Sequence, residues 1–144
     1  MTRSIAELVP HAGRMVLLDD IIEHDGDHIL CRARTGPPGE HPLASDGQLP
    51  AEILAEYGAQ AIAVHGGLLN NLETAPRPGR LVALGRFLLY CSSLKRDCRL
   101  AVRAQRLAGD SNGQVYDFEV SDVENGLLAQ GRATIMFADR ENRP

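Results

Sequence analysis

The chain has 144 residues, of which 44% are hydrophobic and 24% charged, with a formal net charge of -4, the composition of one folded globular domain. This acidic balance, without a block of Lys and Arg, argues against nucleic acid and against an anionic membrane surface as partners. No apolar run near the start has the length of a signal peptide, so a cytoplasmic location is expected. The three cysteines, Cys31, Cys91 and Cys98, lack metal-type spacing and are expected to be reduced.

The first predicted element is a hairpin in residues 15–35, MVLLDDIIEHDGDHILCRART. Two apolar runs flank Asp25-Gly26-Asp27, and an Asp-Gly pair readily adopts the positive φ angles of a hairpin turn. Residues 36–50, GPPGEHPLASDGQLP, are rich in residues that favour turns and interrupt strands. We therefore expect an irregular loop there, of a length that often carries function.

A long apolar helix is predicted from about Pro50 to Leu69. Proline suits the first turn of a helix, because its missing N–H would be unpaired there in any case. Within the helix, Glu52, Glu56 and Gln60 recur every four residues and therefore lie along one side of an otherwise apolar rod. Two carboxylates on a core helix indicate a candidate site.

Four β-like segments follow the helix: RLVALGRFLLYCSS, CRLAVRAQRLAG, GQVYDFEVSDVE and LLAQGRATIMFA. Turns separate them at residues 94–97, 110–113 and 124–126. One helix and five or six antiparallel strands bury each other's apolar faces most economically when a curved sheet wraps around the helix. The predicted fold class is therefore α+β, with a single domain over residues 1–144 in which the helix precedes an antiparallel meander.

Three stretches resemble β-hydroxyacyl-acyl carrier protein dehydratases, in the same order along the chain. LVPHAGRMVLLDDI, residues 8–21, resembles the opening of these enzymes. LPAEILAEYGAQA, residues 49–61, resembles their central helix, and LGRFLLYCSSLKRDCRL, residues 84–100, resembles the strand after it. The chain as a whole is similar to the dehydratase-like proteins of aryl polyene gene clusters. The resemblance implies a hotdog fold and a place in fatty-acid or polyene-type biosynthesis.

The resemblance also implies a reaction and the groups that perform it. Dehydration of a 3-hydroxyacyl thioester on acyl carrier protein needs a base for the proton next to the carbonyl and an acid for the departing hydroxyl. By resemblance Glu56 is the acid and His41 the base, while a backbone N–H near Ala51, at an exposed helix start, polarises the thioester oxygen. Gln60 and Ala59 complete the expected substrate-binding residues. No metal and no other cofactor is implied.

The loop that carries the expected base departs from the family pattern. The family's histidine stands fourteen residues before the helix glutamate, whereas His41 stands fifteen before Glu56. The family's flanking Gly-His-Phe-Pro-Gly is here Gly-Glu-His-Pro-Leu. His11, which lies in the matched opening stretch, is therefore kept as the alternative base.

The resemblance implies an oligomer, because hotdog folds resemble one another in pairing sheets edge to edge. A homodimer or higher oligomer is expected, or a hetero-oligomer with a related dehydratase. Three functions stay open. The chain is an acyl-thioester dehydratase, or a catalytically weak dehydratase-like subunit that works with an active relative, or a hotdog acyl thioesterase in which a helix carboxylate activates water. The product separates the first from the third: an enoyl thioester or a free thiol.

Overall fold

A computed structural model describes residue 5 and residues 13–69, 79–110 and 112–137. The long helix, α1, spans Leu54–Leu69 and is preceded by a 3-10 turn at Ala51–Ile53. This agrees with the helix predicted from about Pro50 to Leu69. The strands are β1 Asp20–His24, β2 His28–Arg34, β3 Leu49–Pro50, β4 Gly79–Leu89, β5 Ser93–Leu94, β6 Arg99–Gly109, β7 Gly113–Asp122 and β8 Gly126–Phe137.

Six of the strands form one antiparallel sheet in the order β1-β2-β6-β7-β8-β4, and β3 pairs with β5 in a separate two-stranded ladder. The prediction of a simple meander after the helix is wrong for its first strand. Strand β4 pairs with the last strand, β8, and so lies at the far edge of the sheet. Only β6, β7 and β8 follow one another as a meander. Local periodicity predicts that a strand exists, but its neighbour depends on long-range packing.

The core lies between the sheet and α1, as expected for a sheet that wraps around a helix. Side chains alternate along each strand, so one face of β2 buries Ile29, Cys31 and Ala33 completely. The two central strands add more buried residues to the same face: Leu100, Val102 and Ala104 from β6, and Tyr116, Phe118 and Val120 from β7. All three cysteines are free thiols.

The turn of the first hairpin lies where the sequence predicts it, although Gly26 does not have the expected positive φ. In the first hairpin, the Asp25 carboxylate accepts hydrogen bonds from the backbone N–H groups of Asp27 and His28, at 2.8 and 2.9 Å. These charge-assisted bonds hold the pKa of Asp25 down, at about 2. The short side chain of an aspartate thus closes the turn that joins β1 to β2.

Helix α1 packs closely against the sheet at Gly58. A Cβ atom at this position would lie 2.3 Å from the Phe118 ring. Phe118 is buried and has Gly131 of β8 on another side, where an added Cβ would lie 3.0 Å away. Two glycines therefore make room for one phenylalanine, and the ring has little space into which it can retreat.

We expect Gly58→Ala to lower the free energy of unfolding by about 1–3 kcal/mol, because overpacking outweighs the gain in helix propensity. Gly66→Ala is the matched control, since it lies in the same helix and an added Cβ meets nothing within 4 Å. The control should leave the protein as stable or raise the free energy of unfolding by up to about 1 kcal/mol. Urea unfolding of both variants measures the difference. Equal stability of the two would contradict the close packing.

A buried histidine ties the end of α1 to the sheet. His65 donates from Nε2 to the carbonyl oxygen of Asp25 at 2.8 Å, and the Tyr116 hydroxyl donates to Nδ1 at 2.5 Å. Burial lowers the pKa of His65, so the ring is neutral. His65 lies nine residues beyond Glu56, about half a helical rotation away, and so is on another face of α1.

Candidate active site

The loop between β2 and α1 is held at its base by the start of β6 and the turn before it. Asp97 pairs with the guanidinium of Arg34 and accepts a hydrogen bond from the backbone N–H of Gly36 at 3.1 Å. These contacts hold the pKa of Asp97 below its usual range. Thr35 and Cys98 add a backbone hydrogen bond of 3.0 Å. The first residues of the loop are therefore fixed to the sheet.

The far end of the loop is fixed as well. Ser45 and Gln48 exchange two backbone hydrogen bonds around a tight turn in which Asp46 and Gly47 have φ angles of 51° and 73°. These are the positive φ angles that an Asp-Gly pair supplies. Strand β3 then pairs with β5 immediately before the helix. The predicted irregular loop is confirmed, and its last residues form this short strand.

His41 lies between these two fixed ends and is buried, with 7% of its surface exposed. Its Nε2 atom lies 2.9 Å from the hydroxyl of Tyr57, and the backbone N–H of Leu43 donates to its Nδ1 at 3.0 Å. Tyr57 follows Glu56 directly in α1. The loop histidine therefore packs against the turn of the helix that carries the predicted acid.

The hydrogen bonds fix where the imidazole proton of His41 lies. Because the backbone N–H of Leu43 donates to Nδ1, that nitrogen is unprotonated. The proton of the neutral ring is then on Nε2, and Nε2–H donates to the Tyr57 oxygen. The ring's lone pair, on Nδ1, thus already accepts a hydrogen bond from the Leu43 N–H. In this arrangement His41 is a hydrogen-bond donor, and a base needs an accessible lone pair.

Tyr57 is the residue of this site that sequence reasoning missed, because its position about 100° from Glu56 on the helix suggested a core or interface residue. The side chain is 1% exposed, and burial raises its pKa far above the usual value. A signal was present. A buried tyrosine hydroxyl needs a hydrogen-bond partner, and so does a buried histidine.

Glu56 lies in the first turn of α1, half-buried, with the amide of Gln60 one turn further on. Gln60 is completely buried. Its Nε2 donates to the Met15 carbonyl oxygen at 2.6 Å and lies 3.5 Å from Glu56 Oε1, while its Oε1 accepts from the Leu17 N–H at 2.9 Å. Gln60 thus ties the segment before β1 to the helix beside Glu56. These contacts give it a supporting position instead of the predicted substrate contact.

The expected exposed amide at Ala51 is a wrong prediction. Ala51 is fully buried, and its N–H donates to the carbonyl oxygen of Ser92 at 3.1 Å. The reason is the β3–β5 ladder, which continues into the first residue of the 3-10 turn. This N–H is therefore engaged within the chain and does not face a thioester.

Ala59 lies three residues beyond Glu56, on a stripe of α1 that the sheet leaves half-exposed. The stripe consists of Ala55, Glu56, Ala59, Ala63 and Gly66. Spacings of three and four residues place these side chains on one side of the helix. The alternative base, His11, lies outside the described residues.

Two absences hold for the part of the chain that the structure describes. No group of three or more His, Cys, Asp or Glu side chains is arranged to hold a metal ion. No described helix has both the length and the apolar content needed to cross a bilayer.

Solved structures share this fold. A chain of the dehydratase heterocomplex ApeI:P from Xenorhabdus doucetiae superposes with a TM-score of 0.85 at 23% identity, covering 98% of this chain and 95% of that one. The thioesterase HI1161 from Haemophilus influenzae gives a TM-score of 0.60 at 15% identity, covering 83% and 77%. A hypothetical thioesterase from Streptococcus pneumoniae, solved with coenzyme A, gives 0.58 at 12%, covering 83% and 84%. The sheet and the enclosed helix are thus a hotdog fold.

A search of curated proteins gives no match. The family model for ApeP dehydratases, by contrast, matches residues 3–143, which is almost the entire chain. The matched range includes the loop histidine, the helix glutamate and the segment that Gln60 binds. The chain belongs to the ApeP-like dehydratase family.

Proposed function

We propose that the chain takes part in the dehydration of a 3-hydroxyacyl thioester, carried by acyl carrier protein, to the trans-2-enoyl thioester in fatty-acid or polyene-type biosynthesis. Family membership over residues 3–143 supports a dehydratase. The observation that carries the proposal is the placement of the His41 loop against Tyr57, the neighbour of Glu56. An imidazole and a carboxyl group on adjoining elements are the two groups that this elimination needs.

In the proposed reaction, His41 removes the proton from the carbon next to the thioester carbonyl. The electron pair of that C–H bond forms the new double bond, and the C–O bond on the next carbon breaks. Glu56 protonates the departing hydroxyl, which leaves as water. No oxidant or reductant takes part, and no metal or other cofactor is invoked.

The acyl chain is proposed to lie along the half-exposed stripe of α1, next to Ala59. Small side chains at three- and four-residue spacing leave room beside the helix. Glu56 lies near the N-terminal end of the stripe, beside Ala55, so a substrate lying there would have its reacting carbons at the carboxyl group. The side-chain amide of Gln60 contacts Glu56 Oε1 at 3.5 Å and helps to hold the carboxyl group in place.

The test is a product assay with a 3-hydroxyacyl thioester of acyl carrier protein, measured in both directions. Formation of the enoyl thioester, or hydration of the enoyl thioester, supports the dehydratase. Release of a free thiol with no enoyl product would favour a hotdog thioesterase, the activity named for two of the structures that share the fold. The corresponding coenzyme A thioester, run in parallel, shows which carrier is preferred.

A second candidate is a dehydratase-like subunit that depends on a related chain for turnover. The arrangement of His41 favours it, because the Leu43 N–H donates to the lone pair on Nδ1 and the Tyr57 oxygen accepts a hydrogen bond from Nε2–H. The solved ApeI:P structure, at 23% identity, is a heterocomplex of dehydratases. In this version a related subunit supplies the base and Glu56 contributes to a shared site.

The two edges of the sheet differ in a way that supports an oligomer, either a homodimer or a hetero-oligomer. Strand β1 is short and begins with Asp20, which forms a surface ion pair with Arg32 of β2. Strand β4 is eleven residues long, and its residues 80–86 are all exposed. A long apolar edge strand is a ready template for pairing with another chain. Its exposed large side chains are Leu81, Val82, Leu84 and Leu88, followed by Tyr90.

We expect the double variant Leu84→Lys/Leu88→Lys to dissociate the oligomer, because two charges would be buried where apolar surface pairs. Leu84 and Leu88 are 37% and 49% exposed. Ile22→Lys is the matched control, since Ile22 is 48% exposed on the opposite edge strand. Sedimentation velocity at micromolar concentration measures the outcome. A monomeric wild-type chain, both alone and with a related dehydratase, would rule out the interface.

A further inference from the structure

The edge strand β4 is interrupted by a β-bulge that contains Arg86. Between Gly85 and Leu88 the ladder with β8 shifts register, so that Arg86 and Phe87 stand opposite a single residue of β8. A bulge of this kind bends an edge strand and re-aims a side chain, and such bulges are frequent beside active sites.

The backbone of Arg86 is strained. Its φ angle is 50°, in the left-handed region that glycine adopts freely and other residues adopt at a cost. Among the described residues, Asp46 is the only other non-glycine residue with a positive φ, and aspartate is one of the residues that tolerate this region. The bulge therefore keeps a long cationic side chain where glycine would be less strained, which indicates a use for that side chain.

The charge of Arg86 is not compensated by its surroundings. Residues 79–92 contain no Asp or Glu. Arg86 is exposed and forms no ion pair with any residue that the structure describes. Five other arginines do pair with carboxylates: Arg32, Arg34, Arg96, Arg99 and Arg132. An unpaired guanidinium suits a phosphate group, because its fork of N–H donors matches two phosphate oxygens.

Contacts through the core place the bulge level with the turn of α1 that carries Glu56. The ring of Phe87, the residue after Arg86, has its centroid 6.3 Å from that of Phe118. Phe118 in turn packs against Gly58, two residues beyond Glu56. Arg86 therefore lies at the end of the helix where the reacting part of a thioester is proposed to bind.

We propose that Arg86 binds the phosphate of the phosphopantetheine arm, which acyl carrier protein and coenzyme A both attach to an acyl thioester. The inference rests on the proposed function for the class of substrate. The contact is a charge-assisted hydrogen bond away from the reacting atoms. Arg86 thus determines which thioesters bind and takes no part in proton transfer.

Unfolding of glycine variants tests the strain. Arg86→Gly should leave the urea midpoint unchanged or raise it, because relief of the strained φ offsets the greater chain entropy of glycine. Arg80→Gly is the matched control and should lower the midpoint, since Arg80 lies in the same strand, paired with Met136, without a positive φ. Equal losses in the two variants would mean that Arg86 is not strained and would overturn the inference.

Binding of 4′-phosphopantetheine, compared with pantetheine, which lacks the phosphate, tests the contact without turnover. Calorimetric titration of the full chain should give a Kd for phosphopantetheine at least about tenfold below that for pantetheine, the factor expected of a hydrogen bond to a charged group. The difference should vanish in Arg86→Gln and persist in Arg80→Gln, which removes another exposed charge from β4. Equal Kd values in the wild type, or the same change in both variants, overturns the inference.

Turnover gives another readout, with one 3-hydroxyacyl group carried on acyl carrier protein, on coenzyme A and on pantetheine. In the preparation that is active, Arg86→Gln should raise KM at least about tenfold for the first two and leave kcat and the pantetheine thioester unchanged within about twofold. Sedimentation velocity checks that the oligomer is unchanged. An equal rise for all three thioesters, or a rise for only one of the two phosphate-bearing carriers, overturns the inference. If no thioester turns over in the wild type, the proposed function fails, and the titration still decides the inference.

Discussion

Glu56→Gln is expected to lower the dehydration rate at least about 100-fold, which corresponds to about 2.7 kcal/mol of activation free energy. The amide keeps the shape of the side chain but has no proton to give to the departing hydroxyl. Gln60 lies 3.5 Å from Glu56 Oε1 and can keep a contact with the new amide. The free energy of unfolding should therefore change little, and urea unfolding checks this beside the rate.

His41→Ala is expected to lower the dehydration rate by a similar factor if the chain is active without a second subunit. If the two groups act on one step, the double variant should lose much less than the product of the single losses. Glu52→Gln is the matched control, because Glu52 lies four residues earlier, in the 3-10 turn that precedes α1, and is exposed. If Glu52→Gln lowers the dehydration rate as much as Glu56→Gln does, the assignment of Glu56 as the acid is contradicted.

Sequence patterns predicted most of the fold because its local signals were strong. The Asp25-Gly26 pair marks the turn of the first hairpin, and period-two burial along β2 is visible in the sequence. The position of β4 was not predictable from such signals. A strand that follows a helix can pair with any open edge, and only the packing of the complete sheet places β4 beside β8.

The sequence predicts the spacing of the candidate residues on the helix better than their contacts. The four-residue spacing of Glu56 and Gln60 does place them one turn apart, within 3.5 Å of each other. His41 lies in a loop without a period, so nothing in the sequence fixes which way its ring faces. The hydrogen bond of the Ala51 amide was not predictable either. It forms because two short strands, β3 and β5, pair just before the helix, and their composition does not mark them as strands.

A related dehydratase subunit provides the decisive experiment on where the base comes from. If a related subunit supplies the base, we expect the chain mixed with a His-bearing hotdog dehydratase to turn over a 3-hydroxyacyl thioester at least about 100-fold faster than the chain alone. The reason is that the lone pair on Nδ1 of His41 already accepts a hydrogen bond from the backbone N–H of Leu43. Assays quenched at fixed times, on the separate and the mixed chains at equal total protein, measure the ratio of the two turnover rates.

Variants of this chain within the mixed complex then assign its contribution. If Glu56 belongs to a shared site, Glu56→Gln in the mixed complex should again lower turnover about 100-fold or more, while His41→Ala should lower it less than threefold. The small effect of His41→Ala follows because the related subunit would supply the base. If Glu56→Gln leaves the mixed complex at full rate while the complex still forms in sedimentation, Glu56 makes no catalytic contribution and the chain acts through the β4 interface alone. If the chain alone is as fast as the mixture, the base is its own, and His41 must leave Leu43 during turnover.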